Sequence, residues 1–274
     1  MNLGELVSEK RKSKGLWWQK ALNLVPGCTP VSEACLNCWS AGMAHRQGFR
    51  QGISDYQWKL WGGLTTYDGK WNGEIRLLEE NLELPLKTKK PTLFSVWNDL
   101  FHPKVPESFH YKFFEMVSGC KHHFFLVLTK RPENLLKFYQ QCEDYDSSEF
   151  PNLGFGVTVE LPKYLDRILT LCKVPAALRF VSLEPLLDEL SISGHGWRNA
   201  RKEESIHWVI LGCESGRKRR PMQLEWGQKI LNECRDAEVP AFLKQIEQGG
   251  KLIHAPKSLT GDSLQVFPEV EWKP

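Results

Sequence analysis

The chain has no run of about 18 apolar residues, the length a helix needs to cross a bilayer, so no membrane partner is expected for its 274 residues. It has no low-complexity tract and no internal repeat, which excludes solenoids and propellers. It lacks a strong charge of either sign. Its 36 Lys and Arg stand against 33 Asp and Glu, a net charge of +3, so overall charge points to no partner. The stretch Met1 to Lys14 is polar and carries no apolar signal region. The expected location is the cytoplasm, where thiols stay reduced. With 41% hydrophobic and 25% charged residues, the chain can bury the core of one large α/β domain.

Cysteine is unevenly spread. Cys120, Cys142, Cys172, Cys213 and Cys234 lie far apart, mostly in apolar segments, and read as small core residues. The other three crowd into Gly27-Cys28-Thr29-Pro30-Val31-Ser32-Glu33-Ala34-Cys35-Leu36-Asn37-Cys38-Trp39, spaced C-x6-C-x2-C. Soft thiolates gathered on one loop hold zinc or an iron–sulfur cluster. A closed structural site takes four ligands. No fourth cysteine lies near the trio, which leaves one metal position open for chemistry. His45, His102 or Cys213 could close it and make the metal a structural staple.

Short apolar runs rich in β-branched and aromatic residues recur at 22–25, 92–97, 123–128, 153–159, 178–183 and 206–211, with 239–243 as a seventh. Such runs are buried parallel strands. Helical patterns lie between most of them, at 106–118, 132–141, 163–172 and 224–237, and residues 40–50 read as the helix after the cysteine loop. Repeated strand–helix units imply a parallel sheet, open or curled into a full or partial barrel. The Gly- and Trp-rich segment 58–73 reads as a loop with a short hairpin, 193–205 as an inserted surface loop, and 251–274 as a tail wrapping the surface.

Each strand run ends in polar groups: Asn98 and Asp99, then Thr129, Lys130 and Arg131, Thr158 and Glu160, Ser182 and Glu184, Glu214 and Ser215, and finally Lys244 and Gln245. Ligands of parallel α/β folds bind at the carboxyl ends of the strands. Six such ends predict one convergent mouth, which the cysteine loop would join. Each of these residues, taken singly, could instead form a structural ion pair across that mouth.

Several stretches carry a resemblance. They are the cysteine loop, Asn98-Asp99-Leu100-Phe101-His102, Leu128-Thr129-Lys130-Arg131-Pro132, Gly156-Val157-Thr158-Val159-Glu160, Arg179 to Leu186, Gly212-Cys213-Glu214-Ser215-Gly216, Arg220-Pro221-Met222 and Phe242-Leu243-Lys244-Gln245. The chain resembles a phage-associated three-Cys-motif family, and through it the radical SAM superfamily, whose common loop is C-x3-C-x2-C. The resemblance implies a single-domain, partial (βα)6-type TIM-like barrel over residues 1–250, with the cysteine loop at 27–39. Residues 251–274 would be an extension packed on the same domain. It implies a [4Fe–4S] cluster on Cys28, Cys35 and Cys38, S-adenosylmethionine (SAM) on the open iron, and an external one-electron donor. Trp39, Asn98, Asp99, Thr129, Lys130, Thr158, Glu160, Ser182, Glu184, Glu214 and Lys244 would hold SAM. It names no substrate.

Basic clusters offer one. Arg11 to Lys14, Lys87 to Lys90 and Arg217-Lys218-Arg219-Arg220 are local concentrations of charge, the last just after the sixth strand. Such a patch neutralises phosphates, and Trp17, Trp18, Trp58, Trp61, Trp71 and Trp97 could stack on bases. The expected substrate is DNA, RNA or a nucleotide, modified or repaired. The alternative is a non-catalytic iron–sulfur or zinc protein that binds nucleic acid.

Overall fold

Period-two alternation along each strand decides the architecture. In the computed structural model, which describes residues 1–141, 149–195, 205–216, 218–256 and 264–274, eight strands form one sheet. They are β1 (Lys20–Asn23), β2 (Leu93–Trp97), β3 (Phe124–Thr129), β4 (Leu153–Thr158), β5 (Leu178–Leu183), β6 (Trp208–Gly212), β7 (Ala241–Gln248) and β8 (Lys251–His254). They lie side by side in chain order. Pairings from β1 through β7 are parallel, and β8 runs antiparallel to β7. The sheet curls into a half-barrel of mixed α/β class, eight strands rather than six repeats. Helices α1 (Glu9–Lys12), α2 (Trp39–Gly48), α3 (Asp55–Trp61), α4 (Glu83–Leu86), α5 (Glu107–Gly119), α6 (Pro132–Gln141), α7 (Asp166–Cys172) and α8 (Leu224–Asp236) complete the regular structure. Among the described residues no helix is long and apolar enough to cross a membrane.

Alternate residues serve two cores. Phe125, Val127, Val181, Leu183, Val209 and Leu211 pack outward with Phe109, Phe113 and Phe114 of α5, Leu135 and Phe138 of α6, Ile168 of α7 and Ile230 of α8. Phe124, Leu126, Leu178, Phe180, Trp208 and Ile210 point the other way, into a second cluster with Leu3, Leu6, Val7, Trp17, Trp18, Phe267, Val270 and Trp272. The two chain ends therefore close the amino-terminal side of the half-barrel. The Met1 ammonium donates to Val270 O at 2.8 Å, and Trp272 Nε1 donates to Lys121 O at 2.8 Å. Gly156 of β4 leaves the space that the Phe180 ring occupies, since a Cβ there would collide with it.

Several expectations are corrected. β1 begins two residues earlier than the apolar run 22–25, because Leu24 and Val25 are buried in the outer core beyond the strand rather than within it. The segment read as loop from residue 58 is helical over Asp55–Trp61. A capping box nucleates α3: the Ser54 side chain accepts from the Gln57 amide and the Gln57 side chain returns to the Ser54 amide. The hairpin expected there is present as the Thr65–Trp71 bridge. The tail contributes β8 through a two-residue turn, Gly249-Gly250, both at positive φ (59° and 75°), as a tight hairpin requires. The surface loop 193–205 falls largely outside the described residues.

Candidate functional site

Where the sheet's outer and inner cores end, at the carboxyl ends of the strands, a cavity of about 240 Å³ opens. Its walls come from the carboxyl-terminal parts of β2 to β7, or the residues just after them, and from the cysteine loop that follows β1. Asn98 and Asp99 follow β2, Thr129 and Lys130 lie at the end of β3, Thr158 closes β4, Ser182 and Glu184 stand at the end of β5, Glu214 follows β6, and Lys244 lies within β7. Cys28, Cys35, Cys38 and Trp39 complete the ring, while Trp17 and Trp18 make the floor. Of the cofactor-binding residues read from the sequence, only Glu160 lies off the wall, fully buried behind it.

The charged members are joined into pairs. Arg131 binds Asp99, whose Oδ1 also accepts from Thr129 Oγ1 at 2.7 Å and the Phe101 amide at 3.1 Å. Glu160 accepts from Arg167 at 3.0 Å and lies 3.5 Å from Lys130. Lys244 meets Glu184 at 2.7 Å. Glu214 takes the Arg220 amide at 2.8 Å and its guanidinium. The strand-end carboxylates are therefore structural ion-pair partners in this form, as each taken singly could be. Burial alone would raise the Glu214 pKa, but hydrogen bonds from Arg220 and Asn37 outweigh it and hold the carboxyl below the usual range. The hydroxyls of Ser95, Thr158 and Ser182, by contrast, lie on the wall with no protein partner among the described residues.

These pairs also fasten the cysteine loop. Arg131 Nη2 donates to Thr29 O at 2.8 Å, Lys130 Nζ reaches Ser32 Oγ at 3.1 Å and Cys35 Sγ at 3.7 Å, and Asn37 Nδ2 donates to Glu214 at 2.9 Å. Ser40 at the start of α2 donates to Asn98 Oδ1 at 3.0 Å. Asn98 sits at φ 60°, a left-handed conformation that Asn tolerates better than most residues. His102 bonds Thr29 through Nε2, while its Nδ1 accepts from the Lys104 amide at 3.2 Å. That second bond fixes Nε2 as the protonated nitrogen.

The three thiols are half-buried and free. Burial, then Asp99, pushes Cys28 up to about 12. For Cys35 burial again acts upward, but the Lys130 ammonium and hydrogen bonds from Val31 and Ser32 outweigh it and lower the pKa. As placed, no three His, Cys, Asp or Glu side chains among the described residues are gathered on one point that could hold a metal ion. The donor chemistry nonetheless suits iron. Three thiols share one cavity wall, and Lys130 and Arg131 stand beside two of them, where they would offset thiolate charge. Cys213 lies on the same wall, buried and pushed up to about 11 by burial. His45 is turned toward Thr65 at 3.2 Å, away from the wall.

The basic run is largely spent. Arg219 binds Glu247 at 2.5 Å and Arg220 binds Glu214, which leaves Lys218 exposed; Arg217 lies outside the described residues. Of the six tryptophans read as stacking surfaces, Trp17, Trp18 and Trp71 are buried, Trp61 and Trp97 half-buried, and only Trp58 is well exposed. Sequence reasoning assigned no role to Ser32, Asn37 or Ser40, although all three flank the cysteines. Their polarity inside a metal-type loop was the available signal.

No curated protein and no solved structure matches the chain. A family model matches residues 12–267, and with nearly the whole length covered the chain belongs to that family, described as a protein of unknown function (DUF5131).

Proposed function

We propose that the cavity is the centre of an iron–sulfur enzyme of the radical SAM type, on a half-barrel related to the (βα)6 kind. It would act on a nucleic acid or nucleotide, with an external one-electron donor, in the cytoplasm of the cell or of a phage host. The observation that carries the reading is that Cys28, Cys35 and Cys38 share one wall with six strand ends. Cys28, Cys35 and Cys38 would hold three irons of a [4Fe–4S] cluster, leaving the fourth open to the amino and carboxylate groups of SAM. When bound, that pair supplies one-electron cleavage of the sulfonium bond and a 5′-deoxyadenosyl radical. The protein's own part is to bind and orient. Ser95, Thr158 and Ser182 offer unpartnered hydroxyls to ribose or amino groups, Trp39 and Trp97, whose rings meet edge-on at 5.1 Å, flank the entrance, and Trp17 and Trp18 exclude water from below.

Anaerobic reconstitution tests this. Wild type should bind about four irons and, with a strong reductant, release 5′-deoxyadenosine from SAM. Changing Cys28, Cys35 or Cys38 to Ala should abolish both, while Cys234→Ala should abolish neither. A triple variant that keeps its iron would sink the assignment. Cys213 on the same wall supports a second reading, a four-thiolate zinc or iron–sulfur staple without chemistry. That reading requires Cys213→Ser to lose metal and wild type to leave SAM intact.

A further inference from the structure

With Arg219 and Arg220 held internally, a polymeric substrate needs another landing surface. Exposed rings are concentrated in one place. Trp39, Phe49, Tyr56, Trp58 and Tyr67 are well exposed and fall within residues 39–67, and among the described residues only Tyr111 joins them from elsewhere. Clustered exposed apolar surface marks a contact region.

This region is a small module of α2, α3 and the 65–71 hairpin, built on Ala41, Ala44, Leu64 and Trp71, with Cys28 and Cys38 packed against it. The His45 ring lies 4.7 Å from the Phe49 ring and binds Thr65, which fixes the end of α2 to the hairpin. Gly48 approaches the Trp61–Gly62 backbone too closely for a Cβ, and Gly62 lies against the pyrrole side of the Trp58 indole. The chain at Phe49 is thereby brought close to the segment that carries Trp58. The Arg76 guanidinium stacks 4.3 Å from the Trp58 ring centre and is steadied by the carbonyls of Trp58 at 3.1 Å and Lys59 at 3.0 Å. Along α2, Trp39 and Arg46 recur at i and i+7 on one stripe of the helix, and Arg50 follows just past its end. Trp39 ends that stripe on the cavity wall.

The charges on this module differ in availability. Lys59 and Lys70 are paired with Glu80 and Asp68. Arg46 and Arg50 are exposed and make no ion pair among the described residues. Arg76 makes no salt bridge either, although Glu74 lies within electrostatic reach.

We propose that the face formed by Phe49, Trp58 and Arg76, and continued by Trp39, Arg46 and Arg50, docks single-stranded nucleic acid and leads it to the cavity. Bases stack on Phe49 and meet the exposed edge of Trp58, and the arginines take the phosphates. Rings interleaved with arginines that form no salt bridge are the chemistry of a flexible polyanion with flat bases. A protein partner would call for the rings but not for the unpaired guanidinium groups. The proposal rests on the nucleic-acid part of the proposed function and is independent of its metal.

Fluorescence anisotropy with a short labelled DNA strand, and its RNA counterpart, tests it on the full chain. Affinity should fall with salt, the logarithmic slope being about −0.7 per phosphate contacted. Phe49→Leu keeps apolar bulk at an exposed position, so thermal melting should not change, while Trp58→Leu also loses the Arg76 contact and should melt only slightly lower. Each should weaken binding roughly tenfold. Arg46→Gln with Arg50→Gln should flatten the slope by about 1.4, two phosphates' worth. Photocrosslinks from bromouracil should map to residues 39–76. If the Leu variants bind as wild type does, or only Lys218→Ala weakens binding, the strand docks elsewhere and this surface is wrong. If neither strand binds at low salt, the nucleic-acid reading falls with it, while SAM cleavage, measured separately, still judges the radical chemistry.

Discussion

The pair Asp99–Arg131 links strand ends to the cysteine loop, and Asp99→Asn isolates its charge. The side chains are 8% and 7% exposed. Asn at this position keeps Oδ1, the acceptor for Thr129 and the Phe101 amide. What it loses is the negative Oδ2 facing the Arg131 guanidinium, replaced by a second donor. A buried pair broken on one side costs about 3–5 kcal/mol, because the remaining charge is uncompensated, whereas an exposed pair costs about 0–1 kcal/mol. Asp99→Asn should therefore lower stability by about 3–5 kcal/mol in urea unfolding followed by tryptophan fluorescence and circular dichroism. The double variant with Arg131→Met removes the stranded charge and leaves Thr29 O without its donor, a loss of about 1 kcal/mol. It should be more stable than the single variant, and the two effects should be strongly non-additive. Because Arg131 also holds the residue next to Cys28, a thiol reagent should label Cys28 faster in Asp99→Asn. A single-variant cost below about 1 kcal/mol, or a double variant whose cost equals the sum of the single ones, would refute the claim that this network carries the loop.

Two further outcomes follow from the packing. Gly156→Ala should cost about 1–3 kcal/mol, seen as a lower melting temperature, because its methyl group meets the fully buried Phe180 ring; an unchanged melt would show that β4 can shift. His110 and His123 are buried and held below the ordinary histidine pKa, chiefly by burial. Each bonds a backbone carbonyl through Nε2, Leu100 O at 2.9 Å and Pro85 O at 3.0 Å, and has no partner for Nδ1. The unfolded chain thus binds more protons than the folded one below about pH 6.5, so stability is full above that value and falls as pH drops through it. Melting between pH 7 and 5 should show this loss in wild type and less of it in His123→Gln, and equal losses in both would contradict the assignment.

What could be read in advance divides along a physical line. Local pattern determined the strands, since a run such as Phe124–Thr129 is apolar on both faces and suits only the middle of a parallel sheet. It determined α6, whose Pro132 starts a helix with buried Leu135, Phe138 and Tyr139 spaced along one side. The polar strand ends and the cysteine loop were legible as members of one mouth, because chain order equals strand order here. The capping box at Ser54 and the Gly249-Gly250 turn were also written locally and were passed over. Pairing is different, because it depends on which side chains meet across strands. Only the tertiary structure decided that Glu184 spends its charge on Lys244 and Glu214 on Arg220, that the basic run faces inward to Glu247, and that Trp17, Trp18 and Trp71 are core while Phe49 and Trp58 are surface. Residue type states what a side chain can bind; the neighbour that satisfies it first is set by the fold.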